Sequence, residues 1–150
     1  TLEFFEEPNA GKTSSAISSF SNPQAKRQEI ALTTIDIEIE KRGWSRVDLL
    51  KIDAEGYDFH VIRGSSQLLR EHRIGALQFE YNKPWADLGS TLAAAVTFLT
   101  SCGYSVFLLR GSGLHPLRFH FYQEYFGYSN FVAVLPDMLI RLKGLIREEI

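Results

Sequence analysis

The run VDLLKIDAEGY, residues 47–57, constrains this chain most. Val47, Leu49, Leu50 and Ile52 form a short apolar stretch, the pattern of a β-strand buried on both faces. The run then breaks into Asp53, Glu55 and Gly56, two carboxylates and a flexible residue where the strand should end. In an open parallel sheet the carboxyl ends of the strands face the ligand crevice, so polar groups there are placed for binding or chemistry. A purely structural reading stands beside this one. Asp53 would cap the following helix, with Glu55 in its first turn favourable to the helix dipole.

The elements around this strand read as alternating α and β. Residues 2–5 are an apolar strand, and 9–22 are a polar, Ser-rich loop. Within that loop, Asn9, Ala10, Gly11, Lys12 and Thr13 imitate the end of a P-loop, but Glu6 occupies the first glycine's place and no amphipathic helix follows. A second short strand is expected at 28–32. A helix then runs to Arg42, capped by Thr33 or Thr34 and closed by Gly43. Downstream, 58–63 and a segment capped by Ser65 and ending at Arg70 make two short helices, and 74–82 makes a strand. On that strand Leu77, Phe79 and Tyr81 share one face, while Gln78, Glu80 and Asn82 share the other. Three polar side chains together mark a cavity lining or a solvated face. A helix at 91–101, a strand at 104–110, an aromatic segment at 119–128 and a strand at 131–135 follow. Aromatics of that density pack a core or lid, or stack on a ligand. Gly111-Ser112-Gly113 reads as a loop, since Pro116 follows and no helix opens. Met138, Leu139, Leu142, Leu145 and Ile146 recur at helical spacing and are expected to pack on the chain's own domain.

Residues 51–82, from KIDAEGYDFHVIRG to LQFEYN, resemble the FkbM-type family of S-adenosylmethionine-dependent methyltransferases. The matching positions are Lys51, Ile52, Asp53, Ala54, Glu55, Gly56, Ile62 and Gly64, with Glu80 ending the next strand and Thr34-Ile35-Asp36 preceding the motif. The resemblance implies an α/β fold, the C-terminal portion of a doubly wound, Rossmann-like sheet whose last strand runs antiparallel. It also implies that residues 1–150 are one partial methyltransferase domain. The glycine-rich strand–turn–helix that holds the donor in such enzymes has no counterpart before Val47, and the chain opens on Thr1 rather than Met. A fragment lacking the donor-binding strands, inactive and without tight donor binding on its own, is the expectation. In the family's sheet the strand at 47–53 is central. Without its neighbours it becomes an edge through which the chain self-associates.

The implied reaction transfers a methyl group from S-adenosyl-L-methionine to a hydroxyl of a small molecule or glycan. Such a displacement needs positioned partners and a group that takes the hydroxyl proton. Asp53, Glu55 and Glu80 are the candidate catalytic carboxylates, with His60 and His72 behind them, both read as lying on helical stretches where solvated or capping roles are the simpler ones. Lys51, Asp53 and Gly56 are the candidate donor-binding positions. Two other classes remain open. A non-catalytic module would keep only the substrate half. A metal-dependent enzyme would use Asp53, Glu80 and Asn82 as oxygen ligands for a Mg²⁺-type ion.

Composition narrows the rest. Sixteen basic against eighteen acidic residues give a net charge of −2, which points to no nucleic-acid partner. One cysteine, Cys102, excludes an internal disulfide and reads as a buried, inert thiol in a reducing compartment. No apolar stretch is long enough for a transmembrane segment, so the cytoplasm is the expected location.

Overall fold

The computed structural model describes residues 1–6, 16, 24–117 and 124–147. The P-loop imitation at 9–13, most of the 9–22 loop and the first part of the aromatic segment lie outside these residues. Two strands, β1 (Leu2–Glu6) and β2 (Lys26–Ile30), pair antiparallel as a separate ribbon. The second lies two residues before its expected place.

Helix α1 (Ile35–Arg42) forms as its termini dictate. The Thr34 hydroxyl accepts the Ile37 N–H, and Gly43 closes the helix in the left-handed conformation at φ 64°. Strand β3 (Val47–Lys51), helices α2 (Asp58–Arg63) and α3 (Ser66–Arg70), strand β4 (Ile74–Tyr81) and a one-turn helix α4 (Pro84–Asp87) follow. Helix α5 (Leu92–Ser101), strands β5 (Ser105–Arg110), β6 (Gly113–Pro116) and β7 (Ser129–Val134), helix α6 (Pro136–Leu142) and a 3-10 turn (Lys143–Leu145) complete the described order.

Five strands form one mixed sheet in the order β3-β4-β7-β5-β6. β3 and β4 are parallel, and β7 runs antiparallel to both β4 and β5. Side-chain alternation sorts the two faces. Leu77, Phe79, Tyr81, Val106, Phe131 and Ala133 join the larger core, shared with Ile39, Ile62, Leu68, Leu69, Leu92 and Leu99 of the helices. Ala76, Phe107, Val132 and Val134 turn to the opposite face, where Met138, Leu139 and Leu142 of α6 pack on them. The terminal apolar stripe therefore docks on its own domain, as its spacing predicts.

Four expectations need correction. β3 is not buried on both faces: it sits at the edge of the sheet with Leu49 61% exposed, because only β4 pairs with it among the described residues. The Ser65 hydroxyl does not cap α3; it turns back to donate to the carbonyls of Val61 and Ile62. Gly113 is not part of the loop formed by Gly111 and Ser112; it opens β6, which pairs with β5 across that turn. His72 lies not in a helix but in the turn after α3, at φ 57°, where its Nε2 meets the Cys102 carbonyl at 3.0 Å. Cys102 itself is buried and free, as expected.

Candidate functional site

The chain leaves β3 through a turn that its sequence makes abrupt. Ile52 still pairs with the β4 backbone, its N–H donating to the Gln78 carbonyl at 2.8 Å. Glu55 and Gly56 then take φ values of 49° and 103°. Glycine enters that region freely. A glutamate seldom does, and backbone of this kind collects at functional sites.

Neither carboxylate serves the following helix. Asp53 accepts the Lys51 ammonium at 2.8 Å, and α2 does not begin until Asp58. That hydrogen bond raises the Lys51 ammonium above its usual range. The structural reading of Asp53 as a helix cap is thus not met.

The carboxylate that holds the turn is Asp58, a residue the motif reading passed over. Its side chain is fully buried. Oδ1 accepts the Glu80 N–H at 3.1 Å and Oδ2 accepts the Gly56 N–H at 3.3 Å. Burial pushes its carboxyl above the ordinary range, against the pull of those N–H donors. The signal was an acidic residue two positions after the motif glycine, but its partner lies 22 residues away.

Asp53, Glu55, Asp58 and Glu80 thus surround the ends of β3 and β4. Desolvation, then the charges of Glu80, Asp53 and Asp58, push the Glu55 carboxyl above its usual range. Asn82 donates from Nδ2 to Glu80, and its own Oδ1 is buried without a partner among the described residues. No group of three or more His, Cys, Asp or Glu among the described residues is arranged to hold a metal ion. His60 lies on α2, its ring 5.4 Å from that of Tyr57.

Two cavities meet at Asp53. One, of about 510 Å³, opens over the polar face of β4, with Gln78 and Glu80 in its wall beside Lys51, Arg110, Tyr128 and Asn130. The lining expected from the alternation of β4 is there, except that Asn82 does not reach it. The other, of about 740 Å³, is mainly apolar and lies between the β1–β2 ribbon and helices α1 and α2. Phe4, Ile30, Ile35 and Val61 line it, with Asp53, Glu55 and His60 at one end.

Comparison with known families matches residues 2–106 to the methyltransferase FkbM domain. This chain belongs to the FkbM methyltransferase family. The matched span carries β1 to the start of β5, and with them Lys51, Asp53, Glu55, Gly56, Asp58 and Glu80. Arg110, Tyr128 and Asn130, which complete the polar cavity of this FkbM chain, lie beyond it. No curated protein and no solved structure matches the chain significantly. Among the described residues, no helix is long and apolar enough to cross a membrane.

Proposed function

We propose that this chain forms the acceptor side of a methyltransferase that uses S-adenosyl-L-methionine to methylate a hydroxyl of a small molecule or glycan. The observation that carries the reading is the gathering of Asp53, Glu55 and Glu80 at the ends of β3 and β4, where both cavities open. The donor's features fit this set. Its sulfonium is a cation, which unprotonated carboxylates attract, and its purine is a flat apolar body suited to the larger cavity. When bound, the donor supplies an electrophilic methyl group.

The chain's own residues supply orientation and proton removal. Asp53, fixed by Lys51, holds the acceptor hydroxyl or the donor's cationic end. Glu55 is the proton acceptor in this reading, since a carboxyl raised above its usual range takes a proton more readily than an ordinary one. Glu80, held by Asn82, keeps the region negative. Gly56 lets the backbone approach the donor closely.

The sheet belongs, in this reading, to the later part of a doubly wound domain. The strand order is compatible with that, and the outer edge of β3 is where further strands carrying a donor-binding turn would pair. A second reading, a divalent cation on Asp53, Glu80 and Asn82, draws on the unpartnered Asn82 Oδ1. Transfer of isotopically labelled methyl to a panel of hydroxylated acceptors tests the first. Activity in the wild type that is lost in Glu55→Gln supports it. Absence of both transfer and calorimetric donor binding in a longer chain that carries the donor-binding strands refutes it. Magnesium binding that needs no donor would favour the second.

A further inference from the structure

The polar cavity is not lined like a general acceptor crevice. Tyr128 stands at its wall 73% exposed, an aromatic face turned out of the core. Around it are two side-chain amides, Gln78 and Asn130, two carboxylates, Asp53 and Glu80, and two cations, Lys51 and Arg110. Leu109 is the apolar side chain among them. A wall of planar amide and carboxylate groups beside one open aromatic ring suits a specific kind of molecule. It offers paired donors and acceptors to vicinal hydroxyls, and a flat surface to the C–H face of a pyranose ring.

The amides beside the ring are linked to one another and reach its hydroxyl. Gln78 Nε2 donates to Asn130 Oδ1 at 3.1 Å, and Asn130 Nδ2 donates to the Tyr128 hydroxyl at 3.4 Å. The backbone before it is tethered as well. Tyr81, at the end of β4, donates its hydroxyl to Glu124 at 2.7 Å and accepts the Phe126 N–H at 3.0 Å. Burial, then that bond to Glu124, pushes the Tyr81 hydroxyl up to about 12, so it remains a donor at neutral pH. Glu124 in turn accepts the Leu92 and Ala93 N–H groups at the start of α5. This tethering of the preceding backbone lowers the ordering cost of presenting Tyr128 to a ligand.

We infer that this cavity is a saccharide subsite, with Tyr128 as the stacking platform and Gln78, Asn130 and Arg110 as the groups that read the ring's hydroxyls. It rests on the acceptor-side reading above only for what happens to the bound sugar, and it narrows the acceptor from any hydroxyl compound to a sugar ring. Arg110, Tyr128 and Asn130, all outside the matched span, are then what gives this chain its own acceptor choice.

Saturation-transfer NMR of the chain with methyl α-glucopyranoside, methyl α-rhamnopyranoside and cyclohexanol tests the inference. Transfer to one C–H face of a glycoside, with none to cyclohexanol, is expected. Tyr128→Ala should weaken it roughly two- to tenfold, and Tyr128→Phe should keep it. Gln78→Ala should weaken binding without lowering the thermal midpoint of the fold. No transfer to either glycoside, or equal binding by Tyr128→Ala, overturns the inference. A glycoside that binds but never receives a methyl group, even from a chain that carries the donor-binding strands, leaves the subsite standing and refutes the transferase reading. Methylation of cyclohexanol that is indifferent to Tyr128→Ala does the reverse.

Discussion

Asp58 accepts the backbone N–H of Glu80 at 3.1 Å, joining the turn after one strand of the sheet to the end of its neighbour. The same carboxylate accepts the Gly56 N–H, so the motif turn and the site end of β4 move together. Asp58→Ala would orphan these N–H groups, at a cost of about 1–3 kcal/mol for each that stays buried. The urea midpoint of Asp58→Ala should fall while the slope of the transition stays that of the wild type. An unchanged midpoint would show that water replaces the carboxylate without loss.

The same residue sets a pH dependence whose sign is fixed. Its folded-state carboxyl lies above the ordinary value of 3.8, so between the two values the native chain binds the extra proton. Stability from this group is therefore present at low pH and falls as pH rises through the raised value. Asp58→Asn removes that component. The stability of the wild type relative to Asp58→Asn should decline with rising pH across the window above 3.8, measured by denaturant titration at a series of pH values. A difference that grew with pH would mean that the N–H donors outweigh burial.

At the site, in a chain that carries the donor-binding strands, Glu55→Gln and Asp53→Asn should each cost more activity than Leu69→Ala at an equal folded fraction. Loss of a positioned proton acceptor typically lowers rate by about 10²–10⁴-fold. Leu69 is fully buried, and its truncation should cost about 2–5 kcal/mol of stability without touching either cavity. Labelled methyl transfer, normalised to folded protein by circular dichroism, compares the three. Near-wild-type turnover in both carboxylate variants would remove the pair from the chemistry.

Local pattern was enough for some elements and not others. Helix α1 was legible because Thr34 and Gly43 mark its ends, and β4 because its alternation separates Phe79 and Tyr81 from Gln78 and Glu80. Strand β6 was not, since Gly113–Pro116 is extended through pairing with β5 rather than through any propensity of its own. The edge status of β3 was hidden for a related reason. Val47, Leu49 and Leu50 describe what a strand could bury, while exposure depends on which neighbours arrive. Asp53, Glu55 and Glu80 stood out as candidates because strand ends are polar for cause, whereas Asp58 needed the fold to bring Glu80 to it. Tyr128 was hidden in a run of aromatics, of which Phe126 packs on Tyr81 at 5.7 Å.

The edge of β3 carries the last prediction: the isolated chain should self-associate through it. One side of the strand pairs with β4, and its other edge has no strand beside it among the described residues. An uncovered edge presents N–H and C=O groups to any extended chain that meets it. A two-fold pairing of β3 with its copy, centred on Leu49, would set Leu49 against Leu49 and Lys51 against Val47. Side-chain faces are preserved across such an axis, so the 61% exposed leucines would form an apolar cross-strand contact. Asp48, opposite Leu50 in this register, avoids a like-charge clash. Leu49→Lys would place two ammonium groups against each other at the axis, a repulsion that edge strands use against association. Sedimentation velocity should show a concentration-dependent dimer in the wild type and a monomer in Leu49→Lys, with the thermal midpoint nearly unchanged because position 49 is exposed in the monomer. A wild type that stays monomeric at every concentration would mean that the edge is already protected.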